Sequence, residues 1–378
     1  MEDKSEMLIM NLRKLYEQYG YKKISLPTFE EYDLYSEYRD FIKSEKILTL
    51  MTPEGKLEAL RPDITLSVAK KVAKDKNIKS EKIYYLENIY RFSKMNGYKE
   101  KKQLGIELIG RETDFLNYEI TNLALKSLNQ INKNYIFAFS HVSFISSIFN
   151  TINIDYDLQN EILYNVQHKN KHDLEKLISD INIEEKYKIL IISLPELSGP
   201  FEIIYERLQS FDLDDNLREI LDKLDKFYKL LLLSSNSDKS KIIFDLSLTN
   251  NLEYYNGIIF QGYVEGLSKI ILTGGRYDNL FEKFGINKGA IGFAIYLDNL
   301  KGYFKEANKK NIDILLFYDN SDYKLLISKI NDFIVNGFTV RAEEITNDLT
   351  HFNLNYTDIY TFKNGILEKS LKGVEHNA

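Results

Sequence analysis

The chain contains no cysteine. Disulfides, thiol nucleophiles and cysteine-bound metals are therefore excluded. Tryptophan is also absent, whereas tyrosine (27) and phenylalanine (22) are abundant. With many Lys, Asn and Ile residues, this reads as the codon bias of an AT-rich genome and carries no function. No apolar run approaches the roughly 20 residues needed to span a bilayer. The opening residues Met1-Glu2-Asp3-Lys4-Ser5-Glu6 are charged and lead into no signal-type apolar stretch, so a cytoplasmic location is expected. An excess of basic charge is missing too. The net charge is −6, and a protein that grips phosphates needs Lys and Arg on one face; no tRNA partner is expected. Neither a Walker-type nor a dinucleotide glycine fingerprint is present, and no cofactor is expected. His168 and His172 have a metal-compatible i, i+4 spacing. They lie in the lysine-rich run Gln167-His168-Lys169-Asn170-Lys171-His172, and no metal is expected.

What is present is ordinary globular material. The 378 residues are 44% apolar and 28% charged, ample for one large core and a small second domain. Leu8, Leu12, Leu15, Tyr16 and Tyr19 predict a helix over 6–19 that stops at Gly20. Residues 47–51 and 57–60 flank Pro53-Glu54-Gly55, a hairpin signal. Asp63 is a predicted N-cap for a helix over 63–75. Strands are expected at 82–92 and 103–110, joined by a polar loop at 93–102, then a helix at 114–130 and a strand at 135–140. Residues 141–240 read as a helical insertion. Strands are expected again at 241–248, 254–263 and 268–274, and a helix after Gly292. Past Lys309-Lys310-Asn311, strands at 312–318, 339–342 and 356–362 and a helix at 321–336 suggest a small α/β domain over 309–378. Residues 1–308 are then an α+β domain, an antiparallel sheet flanked by helices.

Three segments concentrate polar chemistry. On the strand 103–110 alternation places Gln103, Gly105 and Glu107 on one face and Leu104, Ile106 and Leu108 in the core. Gln103 and Glu107 beside a glycine suit an ammonium group; a merely solvated polar face has the same pattern. Arg91 offers a fork of donors to a carboxylate or phosphate, or else a surface ion pair. Asp63 and Thr65, at a strand–helix junction, either cap the helix or line a pocket. Gly274-Gly275 permits close approach to a ligand, or a tight turn. Lys94, Lys99, Lys101 and Lys102 decorate the 93–102 loop as a solvated tip.

In order, Pro27-Thr28-Phe29-Glu30, Leu60-Arg61-Pro62-Asp63-Ile64-Thr65, Tyr90-Arg91-Phe92, Gln103-Leu104-Gly105-Ile106-Glu107, Glu253-Tyr254-Tyr255-Asn256-Gly257 and Gly274-Gly275-Arg276-Tyr277-Asp278 resemble the core of class II histidyl-tRNA synthetases over roughly residues 5–305. The chain departs from that family where adenylate chemistry needs charge. Ser93 stands where the second motif carries glutamate, Asn250 where the histidine-specific segment carries arginine, and Asn299 where the third motif carries the arginine for the ATP γ-phosphate. Losing one preorganised donor typically costs about 3 kcal/mol of transition-state stabilisation. The pattern, with Asp63 in Arg-Pro-Asp-Ile-Thr, Ser140-His141-Val142 and a shortened C-terminal domain, is similar to the regulatory subunits of ATP phosphoribosyltransferase.

That resemblance implies a subunit without catalysis of its own. It implies assembly as a dimer within a hetero-octamer with the short catalytic subunit, activation of the first step of histidine biosynthesis, and feedback inhibition by histidine. It also implies a pocket for free histidine built from Asp63, Thr65, Arg91, Gln103, Glu107, Tyr254 and Tyr255. The alternatives are a divergent histidyl-tRNA synthetase, which would show ATP–pyrophosphate exchange, and a free-standing amino-acid sensor.

Overall fold

The computed structural model describes residues 4–38, 47–74, 80–93, 97–110, 113–233, 238–248, 254–301, 303, 312–345 and 356–370. One compact unit spans Met7–Tyr303; the other comprises Met1–Glu6 with Phe304–Ala378.

Helix α1 (Lys4–Gln18) buries Leu8, Leu12 and Tyr16, one helical stripe, and the chain turns at Gly20, whose φ of +83° suits glycine. Strand β1 (Lys22–Lys23) follows, then β2 (Phe29–Glu31), α2 (Asp33–Glu37), β3 (Leu48–Met51) and β4 (Leu57–Leu60). Strands β2, β4 and β3 form a small antiparallel sheet in that order. The Asp63 side chain accepts from the Leu66 amide at 3.1 Å and caps α3 (Ile64–Val72). Next come β5 (Glu81–Ser93), β6 (Gly97–Gly110), α4 (Asp114–Ile131) and β7 (Tyr135–His141). The insertion supplies α5 (Val142–Ile152), α6 (Tyr156–Gln167), α7 (Lys171–Ser179), α8 (Glu185–Ser193), a short strand β8 (Ser198–Pro200), α9 (Phe201–Gln209) and α10 (Asp215–Leu232). The unit ends with β9 (Ile242–Asp245), β10 (Ile258–Val264), β11 (Leu272–Arg276), α11 (Asp278–Lys283), β12 (Gly289–Tyr296) and a 3-10 turn over Leu297–Leu300.

Its sheet has nine strands in the order β1-β5-β6-β12-β11-β10-β7-β9-β8. Only β1 with β5 and β7 with β9 run parallel. Directly paired residues share a face. Leu104, Ile106, Leu108, Phe293, Ile295, Phe260 and Phe139 fill the buried face, and Tyr16 of α1 meets Phe293 there edge to face. The opposite face carries Glu107, Gly292, Gly275 and Ile259 in one row and Tyr85, Gly105, Ala294 and Thr273 in the next. Helices α3 and α11 cover its inner end, packing with Ile83, Ile109 and Ala290.

The second unit contains β13 (Ile312–Tyr318), α12 (Tyr323–Val335), β14 (Val340–Glu344), β15 (Tyr356–Lys363) and β16 (Ile366–Ser370). Its sheet order is β14-β13-β15-β16. Ile314, Leu316 and Phe362 pack with Leu326 of α12.

The structure corrects several expectations. Residues 97–102 are strand, not loop: Arg91 pairs with Lys99 and Ile89 with Lys101, so a full backbone ladder runs under polar side chains. The segment after Gly292 continues as β12, an inner strand between β6 and β11. Gly274-Gly275 is no turn and no strand end, but lies within β11. Tyr254 and Tyr255 precede β10 instead of belonging to it. The helical insertion includes a strand, β8, and the small unit has a fourth strand, β16.

Candidate functional site

Glu107 is the centre of the site. It is 2% exposed, at the place where β6 meets β12, α3 and the β11–α11 turn. Room for its carboxylate comes from Gly292 on the paired strand: a Cβ there would overlap Glu107 Oε2. Three hydroxyls from three elements point at it. Thr65 Oγ1 of α3 donates to Oε1 at 3.2 Å, the Tyr85 hydroxyl of β5 to Oε1 at 3.4 Å, and the Tyr277 hydroxyl to Oε2. Burial pushes the carboxyl up to about 8, against the pull of these donors, and the nearby Asp63 carboxylate pushes the same way. The group is therefore mostly protonated near neutrality. A cation arriving beside it would restore the ionised form.

Around Glu107 lies an aromatic wall. Tyr254 and Tyr255 meet edge to face at 4.8 Å, and Tyr254 lies 5.8 Å from Tyr277. Burial holds the hydroxyls of Tyr85, Tyr254 and Tyr277 well above their ordinary range, and neighbouring carboxylates reinforce this. Gln103, 6% exposed, shares the Glu107 face four residues along β6, beyond Gly105. The solvated-face reading of this strand is thus ruled out by burial. At the mouth, Arg91 is 39% exposed; its Nη2 is 3.5 Å from Asp63 Oδ2 and its Nε donates to the Pro62 carbonyl at 2.9 Å. Asp63 both caps α3 and holds Arg91, so its two readings are compatible.

All seven pocket residues expected from the sequence therefore fall on one side of the sheet, around Glu107 and the Asp63–Arg91 pair. Tyr85 and Tyr277 are additional residues that reach Glu107. Tyr85 has a sequence signal, since it shares strand parity with Arg91 and pairs with Gly105. Arg61 instead proves structural: buried, it donates to Glu87 Oε2 at 3.0 Å and to the carbonyls of Pro27 and Asn88. The Gly274-Gly275 pair makes room for the protein's own rings. A Cβ on Gly275 would lie 2.7 Å from Tyr255 Cδ1, and one on Gly274 would lie 2.5 Å from Phe260 Cζ.

Of the three positions expected to have lost charge, Asn299 donates from Nδ2 to the Ile270 carbonyl at 2.8 Å, a structural bond. Ser93 ends β5, but its side chain lies outside the described residues, as do Asn250, Glu253 and Lys94. His168 is exposed and stacks on Tyr164, with Nδ1 2.8 Å from the Tyr164 carbonyl. Among the described residues, no helix is long and apolar enough to cross a membrane.

The site pairs buried acceptors with a half-exposed guanidinium. Carboxylates and hydroxyls form the deep side and a guanidinium stands at the mouth, which matches an ammonium inside and a carboxylate outside.

Comparison with known proteins identifies the family and the fold. The histidyl-tRNA synthetase family model matches residues 2–300. The ATP phosphoribosyltransferase regulatory subunit of Caldanaerobacter subterraneus is 30% identical over 365 residues, 93% of this chain and 88% of that protein. A Bacillus halodurans structure described as an ATP phosphoribosyltransferase regulatory subunit/histidyl-tRNA synthetase superposes with a TM-score of 0.82 at 23% identity, covering 95% of this chain and 94% of that one. A Thermotoga maritima chain from an ATP phosphoribosyl transferase complex has a TM-score of 0.61 at 19% identity, covering 78% and 97%. The fold is the class II synthetase-like one expected from the sequence. By sequence, the chain belongs to the ATP phosphoribosyltransferase regulatory subunits, a family with the histidyl-tRNA synthetase core.

Proposed function

We propose that this chain activates a short catalytic ATP phosphoribosyltransferase subunit, a glycosyltransferase, in the cytoplasm, and makes it sensitive to feedback inhibition by histidine. It has no catalytic step of its own. It acts as a dimer within a hetero-octamer. The observation that carries the reading is the pairing of a buried Glu107 carboxyl, met by three hydroxyls, with an Asn299 side chain committed to a backbone carbonyl. The amino-acid side is kept, while a position for nucleotide charge has become part of the scaffold.

In this reading free histidine places its ammonium against Glu107 and Gln103 and its carboxylate toward Arg91. Asp63, Thr65, Tyr254 and Tyr255 line the rest. Binding inhibits because histidine has different affinities for the active and inactive assemblies, which is the only way a ligand biases a two-state system. The Thermotoga maritima complex supports a catalytic partner of this class.

The test is phosphoribosyl-ATP formation by the short catalytic subunit, with and without this chain, across a histidine titration. Activity that appears on mixing and falls with histidine is the expected result. No change on mixing refutes it, and ATP–pyrophosphate exchange with histidine would then establish a divergent synthetase.

A further inference from the structure

The sheet face beside Glu107 is made of very small residues, yet it is not an open floor. Gly105, Ala294, Gly292, Gly275 and Thr273 all lie on the Glu107 face. The Tyr85 hydroxyl sits where a Cβ on Gly105 would be, and the Tyr255 ring presses on Gly275. Tyr296 completes the pattern. It lies on the same face of β12, paired with Gln103. Its hydroxyl is 2.8 Å from Thr273 Oγ1, on the next strand, and Thr273 itself pairs with Ala294. That bond carries the Tyr296 side chain diagonally from β12 toward β11.

The ring is fixed at both ends. The Tyr296 amide donates to the Ile271 carbonyl at 2.9 Å, and Asn299 in the following turn is bonded to Ile270. The tip of β12 is thus clamped to the start of β11. The inner end of the face is closed by α3 and α11. A group attached to the carboxyl of a ligand at Glu107 is thus turned away from α3 and α11, outward along the sheet toward Gln103 and Tyr296.

We propose that Tyr296 is a specificity-determining wall: it closes the β11 side of the floor, so that the Glu107 pocket admits a free amino acid and rejects one whose carboxyl carries a nucleotide. This rests on the pocket binding histidine. Rejection by a fixed clash is a direct route to specificity, because the competitor is penalised without any new contact to the favoured ligand. A half-buried ring held at its hydroxyl by a hydrogen bond costs free energy to move aside.

The test is titration calorimetry of the full-length chain with histidine, histidinamide and the sulfamoyl analogue of histidyl adenylate. The amide and the analogue both lack the free carboxylate, and the analogue's anionic acyl sulfamate would if anything be drawn to Arg91, so weaker binding of the analogue reads its size. The wild-type chain should bind the analogue about 100-fold more weakly than histidinamide, within what steric overpacking can supply. Tyr296→Ala should close that gap by about tenfold or more, as expected when an obstructing ring is removed. Tyr296→Phe keeps the ring but not its Thr273 anchor, and should reject the analogue less strongly than wild type and more strongly than Tyr296→Ala. Equal binding of amide and analogue by the wild-type chain overturns the wall, whatever the variants do. So does a Tyr296→Ala chain that binds histidine and still rejects the analogue. A wild-type chain that binds none of the three overturns the pocket assignment itself.

Discussion

Replacing Glu107 by Gln separates the cost of the buried carboxyl from its use. The carboxyl rises from 4.5 to about 8 on folding because it leaves water. At about 1.36 kcal/mol per pH unit, that corresponds to about 5 kcal/mol lost by the folded state once the group must ionise. Below pH 4.5 the group is neutral in both states and costs nothing. Between 4.5 and about 8 the unfolded chain loses its proton first, so stability falls as pH rises. Above about 8 both states are ionised and the loss is complete. Glutamine has nearly the same shape and no proton to lose. The stability difference between Glu107→Gln and wild type should therefore grow by several kcal/mol from pH 4.5 to pH 9, in favour of the variant. Titrating groups that do not interact with Glu107 cancel in that difference. With no tryptophan in the chain, urea unfolding is followed by tyrosine emission and circular dichroism. A difference that stays constant within about 1 kcal/mol across this range refutes the account of Glu107. The same variant should bind histidine about 10-fold to 100-fold more weakly, since a charged partner roughly doubles the strength of such a hydrogen bond. Unchanged histidine affinity would refute the pocket assignment while leaving the stability result intact.

Two further outcomes test the framework around the pocket. Arg61→Met should cost about 3–5 kcal/mol in urea unfolding, because it strands the Glu87 carboxylate and the carbonyls of Pro27 and Asn88; adding Glu87→Gln should recover part of it, and strict additivity would refute the pairing. In Gly292→Ala the new methyl falls on the Glu107 carboxylate and close to the Ile106 carbonyl. It should lower the melting temperature and abolish histidine binding in calorimetry, and a variant that binds normally would show that the Glu107 side chain is not held where it is described.

The parts of the fold that were legible are those where local and long-range signals agree. Asp63 is a good N-cap followed by an apolar stripe, and it caps α3 as expected. Gln103, Gly105 and Glu107 alternate with Leu104, Ile106 and Leu108, and that parity survives in the sheet. The misses have physical causes. The residues at 97–102 are polar on both faces because this end of the hairpin projects beyond the core, so no period-2 contrast marks it as strand. Strand β12 is apolar on both faces because it is an inner strand, and such runs are easily mistaken for helix. The strand β16 was announced by Asn364-Gly365, both at positive φ (51° and 76°), the two-residue turn that joins antiparallel strands. Within the site, Glu107 was readable from its own strand. Tyr277 was not, because it reaches Glu107 from 170 residues away in sequence.

The arrangement of those donors bears on how so small a ligand can be felt elsewhere. Thr65 belongs to α3, Tyr85 to β5 and Tyr277 to the turn between β11 and α11, and all three converge on one carboxyl. Asp63, which starts α3, also holds Arg91 at the mouth. A ligand ammonium that replaces the proton on Glu107 turns a neutral acceptor into an ion. Every hydroxyl that donates to it then makes a charge-assisted bond, about twice as strong as before. The ligand carboxylate, drawn to Arg91, competes with Asp63 at the other end of the same helix turn. In the proposed reading, one zwitterion would tighten the inner end of α3 and loosen its Arg91 tether in the same event. A change that acts on the position of a helix, and not only on the atoms touching the ligand, is the kind of differential contact that a regulatory equilibrium requires.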